Sequence, residues 1–167
     1  MFEIKFIPHS KVTTKQLLEI ISVKDIAWPH SLDSQFKWFA DNLVESDIHV
    51  LLTKNSYTVA YLNLIDIKFK IDGNSIEGYG IGNVCSRERG KGWGKEIMAL
   101  TNLYLIQKSR SGLLFCRIHT VNFYKLNNWI LVDKSNLILP FNNELIETMI
   151  FNCDNRFQQL EYVGKSF

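Results

Sequence analysis

The segment Arg89-Gly90-Lys91-Gly92-Trp93-Gly94 concentrates the residue types best suited to holding an anion. Glycine tolerates positive φ and lets a ligand approach the main chain with no Cβ in the way. Successive amide groups in such a turn can converge on an anion at the start of the following helix, where the helix dipole also favours negative charge. A pyrophosphate is the natural ligand. The basic run Arg87, Arg89, Lys91 and Lys95 has the matching sign, although a solvated loop would show the same charges. No G-x-G-x-x-G follows a predicted strand here, and the preceding strands read as hairpin-connected, so a dinucleotide fold fits poorly. The Gly-Lys-Ser/Thr of a nucleotide-binding P-loop is missing. A purely structural strand–helix turn is the remaining alternative.

The elements that must position this turn follow from periodicity. Phe2–Phe6 alternates apolar and polar residues and reads as a strand. Leu17, Leu18, Ile20 and Ile21, then Phe36, Trp38, Phe39, Leu43 and Val44, predict two helices, the second capped by Ser31 or Asp33. Strands are expected at Ile48–Leu52 and Thr58–Lys70, joined around Lys54-Asn55-Ser56, with a hairpin at Asp72-Gly73-Asn74. Ile76–Cys85 is the next strand. Its glycines Gly78, Gly80 and Gly82 suggest bulging or close approach by a ligand. Beyond the turn, Trp93, Ile97, Leu100 and Tyr104 share one helical face, flanked by Met98, Thr101 and Leu105. A strand at Leu113–Arg117, one or two helical turns at Val121–Asn127, and strands at Trp129–Val132 and Glu147–Cys153 complete the order. The expectation is a mixed α/β (α+β) domain over residues 1–167, with a mostly antiparallel central sheet and helices on both faces. The helix after the glycine turn implies one parallel crossover.

Composition narrows the function classes. Charged residues make up 22% and apolar residues 46% of the 167, which suits one folded domain. A net charge of +2 is too small to argue for nucleic acid. Cys85, Cys116 and Cys153 show no CxxC spacing and read as buried strand positions in a reducing compartment. His30 and His49 lack the spacing of metal ligands, and no metal is predicted. Neither a leader pattern nor a run long enough to span a bilayer is visible, so a cytoplasmic protein without membrane contact is expected.

The stretch Val84-Cys85-Ser86-Arg87-Glu88-Arg89-Gly90-Lys91-Gly92-Trp93-Gly94 resembles the central motif of the Gcn5-related N-acetyltransferases. Arg89, Gly92 and Gly94 match the signature positions and Val84 the strand residue, while Ser86 stands where proline is common. The resemblance implies acetyl-CoA as cosubstrate. It gives the pantetheine arm to the backbone of Val84 and Cys85, and the pyrophosphate to Arg89, Gly90, Lys91, Gly92, Trp93, Gly94 and Lys95. Phe123-Tyr124-Lys125-Leu126-Asn127-Asn128-Trp129 resembles the family's later aromatic segment, with Asn128 in place of glycine. Tyr124 then falls on the tyrosine that serves as general acid, while Arg117 replaces the usual upstream asparagine. The short connection from Leu113–Arg117 to Phe123 is similar to the aminoglycoside 2′-N-acetyltransferase branch, though the carboxylate of that branch would fall near Gly80.

Amine attack on a thioester needs a base for the ammonium proton and an acid for the departing thiolate. Glu77 and His119 are the catalytic candidates for the base, and Tyr79 is a possible relay. Asp25–Asp33, with Trp28, Pro29 and His30, lies where the family shapes its acceptor pocket, and Trp28 with Trp38 would provide an aromatic wall. The implied activity is transfer of an acetyl group to a primary amine of a small molecule. A non-catalytic CoA or acyl-CoA sensor or interaction module is the alternative. The aromatic C-terminal segment, with Phe151, Phe157, Tyr162 and Phe167, suits either a monomer or a homodimer.

Overall fold

A computed structural model describes residues Met1–Phe167. In chain order the elements are β1 (Phe2–Pro8), α1 (Thr14–Ala27), α2 (Leu32–Asn42), β2 (Ile48–Lys54), β3 (Tyr57–Ile71), β4 (Asn74–Ser86), α3 (Trp93–Gln107), β5 (Ser111–Arg117), α4 (Val121–Lys125), β6 (Ile130–Leu131), β7 (Leu137–Ile138), β8 (Ile146–Phe151) and β9 (Leu160–Glu161). The expected sequence of elements is present, and two-residue strands β7 and β9 are added to it. Nine strands form one hydrogen-bonded sheet. Its ladders are antiparallel for β1–β2, β2–β3, β5–β8, β6–β8 and β3–β9, and parallel for β4–β5 and β7–β9.

Two compact units divide the chain: Met1–Ile65 with Gly82–Thr101, and Asp66–Ile81 with Asn102–Phe167. Strands β3 and β4 and helix α3 each contribute residues to both. In the first unit, α1 starts with a capping box. The Thr13 hydroxyl accepts from the Gln16 amide at 3.2 Å, and the Gln16 side chain accepts from the Thr13 amide at 2.9 Å. Ser31 caps α2 as expected, accepting from the Ser34 amide. Ile20, Ile21 and Val23 of α1 and Phe39 of α2 share a core with Leu51, Tyr61 and Cys85 from the strands.

The second unit closes around Trp129, which is 2% exposed. Its ring stacks on Phe151 at 5.5 Å and lies over Gly112, where a Cβ would come within 2.4 Å of the indole. Asn102 joins this core: its Oδ1 accepts from the Trp129 indole N–H at 3.0 Å, and its Nδ2 donates to the Asn127 carbonyl at 2.8 Å. Periodicity put Leu100 and Tyr104 on the buried face of α3, yet both are only half-buried, and Thr101, Asn102 and Leu105 are the buried residues there. Asn102 wins its place because the indole N–H requires an acceptor. Cys153 also departs from expectation, since it lies past the end of β8 and is half-buried.

The C-terminal aromatics pack within their own unit. Tyr162 and Phe167 lie 5.8 and 5.0 Å from Phe115, and a Cβ at Gly80 would collide with the Phe167 ring at 2.4 Å. At Gly78 the neighbours are Phe69, 2.8 Å from the built Cβ, and the Ser111 carbonyl at 2.9 Å. The close approach that Gly78 and Gly80 permit is therefore by the chain's own groups. Replacing Asn102 with Leu strands the buried Trp129 N–H and Asn127 carbonyl, and should cost roughly 2–5 kcal/mol of stability in a denaturant titration.

Candidate functional site

The glycine turn belongs wholly to the first unit and is built from β4 onward. Near the end of the strand Asn83 takes a left-handed backbone with φ 53°. Its Nδ2 donates to Asn63 Oδ1 on β3 at 2.7 Å. The parallel β4–β5 ladder runs only from Gly78↔Ser111 to Ile81↔Leu114, although β4 continues to Ser86.

Arg87 then anchors the strand's exit. Its amide donates to the Val59 carbonyl at 2.9 Å, its Nε donates to the Thr58 carbonyl at 2.6 Å, and its guanidinium also reaches the Ser22 hydroxyl. This residue is thus a staple between β4, β3 and α1, unlike the exposed Arg89, Lys91 and Lys95 of the same basic run. Lys91 pairs loosely with Glu88 at 3.7 Å.

Within the turn, Gly90 and Gly92 each have φ 78°, and a Cβ at either would meet nothing within 4 Å. Glycine is required there by backbone conformation, and the space above both is open. Helix α3 begins at Trp93, its first intrahelical bond running from the Glu96 amide to the Gly92 carbonyl at 2.9 Å. The amides of the first helical turn have no partner four residues back, so they suit an anion. Trp93 is buried and pins this first turn, while Gly94 and Lys95 remain on the accessible side.

Tyr124, Glu77, His119 and Tyr79 all belong to the second unit. Tyr124 is half-buried on α4, edge-on to Phe123 at 5.0 Å. Its carbonyl accepts from the amides of Asn127 and Trp129. Asn128 has φ 67°, the left-handed backbone expected where the family pattern has glycine. His119 is exposed in a 3₁₀ turn ahead of α4. Glu77 is committed to two cations: Lys68 Nζ at 2.7 Å on one oxygen and Arg110 at 2.8 Å on the other. The Lys68 hydrogen bond, helped by Arg110, holds its carboxyl below the usual range and makes it a weaker base. Burial and the neighbouring Tyr104 push the Tyr79 phenol up.

The burial of polar residues on β2, β3 and α1 escaped the sequence reading, whereas Cys85 on β4 is buried as expected. His49, fully buried, has Nε2 2.9 Å from His9 Nδ1 and Nδ1 2.9 Å from the Tyr61 hydroxyl. Lys24, 3% exposed, lies 3.8 Å from the Trp38 ring centroid and 4.7 Å from that of Phe39. Desolvation lowers the Lys24 pKa to about 8, and burial pushes the Cys85 thiol up to about 12. A sequence signal existed only for Lys24, which follows Ile20, Ile21 and Val23 on the buried stripe of α1. No cluster of His, Cys, Asp or Glu suited to a metal ion occurs, and no helix is long and apolar enough to cross a membrane.

No family model and no curated protein matches the sequence. Solved structures do match. ElaA from Escherichia coli aligns with a TM-score of 0.64 at 22% identity, over 90% of this chain and 99% of that one. The ribosomal-protein-S18-alanine N-acetyltransferase of Escherichia coli gives 0.62 at 17% identity, over 90% and 91%. The GNAT family N-acetyltransferase YhbS of Escherichia coli, solved in complex with CoA, gives 0.67 at 10% identity, over 97% and 88%. The chain therefore has the fold of the Gcn5-related N-acetyltransferases.

The buried imidazole has a measurable consequence. Burial first, then His9 and Lys24, drive the His49 pKa from 6.5 down to about 3. Between those values the unfolded chain binds a proton that the folded chain refuses, so stability rises with pH and is lost on acidification below about 6.5. His49→Gln, which cannot titrate, should reduce the slope of unfolding free energy against pH between pH 4 and 6 by up to ~1.4 kcal/mol per unit, read by denaturant titration at each pH.

Proposed function

We propose that the chain is an N-acetyltransferase that moves the acetyl group of acetyl-CoA to a primary amine of a small molecule. The observation carrying this reading is the glycine turn between β4 and α3. Its two left-handed glycines lie open to solvent at the start of a fifteen-residue helix, within an acetyltransferase fold. Gly90, Gly92 and the first amides of α3 hold the pyrophosphate, with Arg89, Lys91 and Lys95 adding long-range attraction. The backbone of Val84 and Cys85, on the part of β4 beyond its ladder with β5, pairs with the amides of the pantetheine arm. The CoA bound to the YhbS structure supports a CoA-type cosubstrate.

In the reaction the neutral amine attacks the thioester carbonyl, forming the C–N bond. Collapse of the tetrahedral species breaks the C–S bond, and the Tyr124 hydroxyl donates its proton to the departing thiolate. Glu77 is engaged by Lys68 and Arg110, which leaves His119 or water to take the ammonium proton.

Calorimetry with acetyl-CoA, CoA and ATP tests the cosubstrate. Tight binding of the first two but not ATP is expected, and Gly92→Val, forced to adopt positive φ, should weaken it at least about tenfold. Absence of binding by either CoA species removes the acyltransferase reading. Tyr124→Phe should keep the acetyl-CoA affinity and lower kcat by roughly 10²-fold in a thiol-release assay.

A further inference from the structure

We propose that the first unit contains a carboxylate receptor centred on Lys24, and that the amine acceptor is accordingly an amino-acid-like molecule carrying a carboxylate. This deepens the acyltransferase reading and rests on it for the word acceptor. The Lys24 ammonium is buried on α1 over the faces of Trp38 and Phe39. No carboxylate forms an ion pair with it. A buried cation with no counterion is costly, and aromatic faces offset only part of that cost.

The one group that acts favourably on it carries no negative charge. The Cys85 thiol, the one group that favours the charged lysine, is itself held in the neutral form by burial. The Tyr61 phenol is raised well above its ordinary range, and His49 is neutral.

A second donor in the same unit also lacks an acceptor. Asn63 is fully buried, and its Nδ2 has no hydrogen-bond partner. Asn63 stands opposite His49 in the β2–β3 ladder. His49 meets Phe39 edge-on at 5.6 Å, and Lys24 lies over that same Phe39 ring. Lys24 and Asn63 thus lie on either side of the Phe39–His49 pair, a cation with no ion pair and an amide N–H with no acceptor. A carboxylate supplies two acceptor oxygens and the missing charge. Lys24 also neighbours Cys85 at the end of β4, on the strand that leads into the glycine turn. A carboxylate held there fixes one end of an amino acid beside the strand assigned to the cosubstrate.

The test compares acceptors that differ only in the carboxylate: phenylalanine with phenethylamine, ornithine with putrescine, and histidine with histamine. CoA release is followed at saturating acetyl-CoA. The carboxylated members should show a kcat/KM at least about tenfold higher. Lys24→Met should bring the ratio close to one through KM, while leaving the decarboxylated amines unchanged; Lys24→Arg should retain part of the preference. Equal or better use of the decarboxylated amines, equal losses on both classes in Lys24→Met, or preference for phosphoethanolamine over every amino acid would overturn the proposal. Thermal shifts with the same compounds in the absence of acetyl-CoA separate the two readings. Stabilisation of the wild type by amino acids, lost in Lys24→Met, upholds the receptor even where acetyl-CoA fails to bind. Binding of acetyl-CoA with no effect of any amino acid sinks the receptor and leaves the acyltransferase reading intact.

Discussion

The hydrogen bond from Asn83 Nδ2 to Asn63 Oδ1 secures the only non-glycine residue of β4 with a positive φ, and much of the site depends on it. A left-handed residue inside a strand interrupts the two-residue alternation and bends the chain. Past it, Cys85 points into the core shared with α1 and α2, and the backbone proceeds to Arg87. Arg87 could have been a free phosphate ligand, yet its side chain is spent on the Thr58 carbonyl and the Ser22 hydroxyl. A left-handed residue fixed at one end and a staple at the other leave the glycine turn as the freely presented part of the segment. Rigid presentation matters because amides converge on an anion only when the backbone around them is already placed.

The parts legible in the sequence are those that local chemistry decides. The turn announced itself because glycines at Gly90 and Gly92 have few other uses, and both adopt the left-handed backbone that only they tolerate well. Asp72-Gly73 was equally plain as a hairpin, and Asn128 as a stand-in for glycine, since asparagine visits the same region. What stayed hidden depends on partners distant in sequence. The left-handed turn of β4 lies at Asn83, a residue ordinary in any loop, and its partner Asn63 is twenty positions away on another strand. Gly78 and Gly80 looked like room for a ligand, but Phe69 and Phe167 occupy it. Nothing local to a glycine says whether a ligand or a distant ring will use its missing side chain.

Lys24 illustrates the same limit for charge. On a helix its position beside Ile20, Ile21 and Val23 reads as a lysine snorkelling out from an apolar stripe. Trp38 and Phe39 of α2 close over it instead, which the spacing within α1 cannot reveal. His49 sat far from every motif, and spacing spoke only against a metal role. Its burial between His9 and Tyr61 follows from the registers that β2 shares with β1 and β3.

Removing Arg87 from the basic run also changes how anion recognition at the turn must work. Arg89, Lys91 and Lys95 remain, all exposed, and Lys91 shares its charge with Glu88. Exposed cations are screened by salt and contribute little fixed geometry. Backbone amides at a helix start are oriented by the fold and lose no side-chain entropy when they bind. In the proposed site, affinity for an anion would therefore come chiefly from the main chain, with Arg89, Lys91 and Lys95 acting mainly on the rate of encounter. On that division a segment of such modest positive charge would still suit a doubly charged pyrophosphate, and its glycines would matter more to the proposed site than its cations.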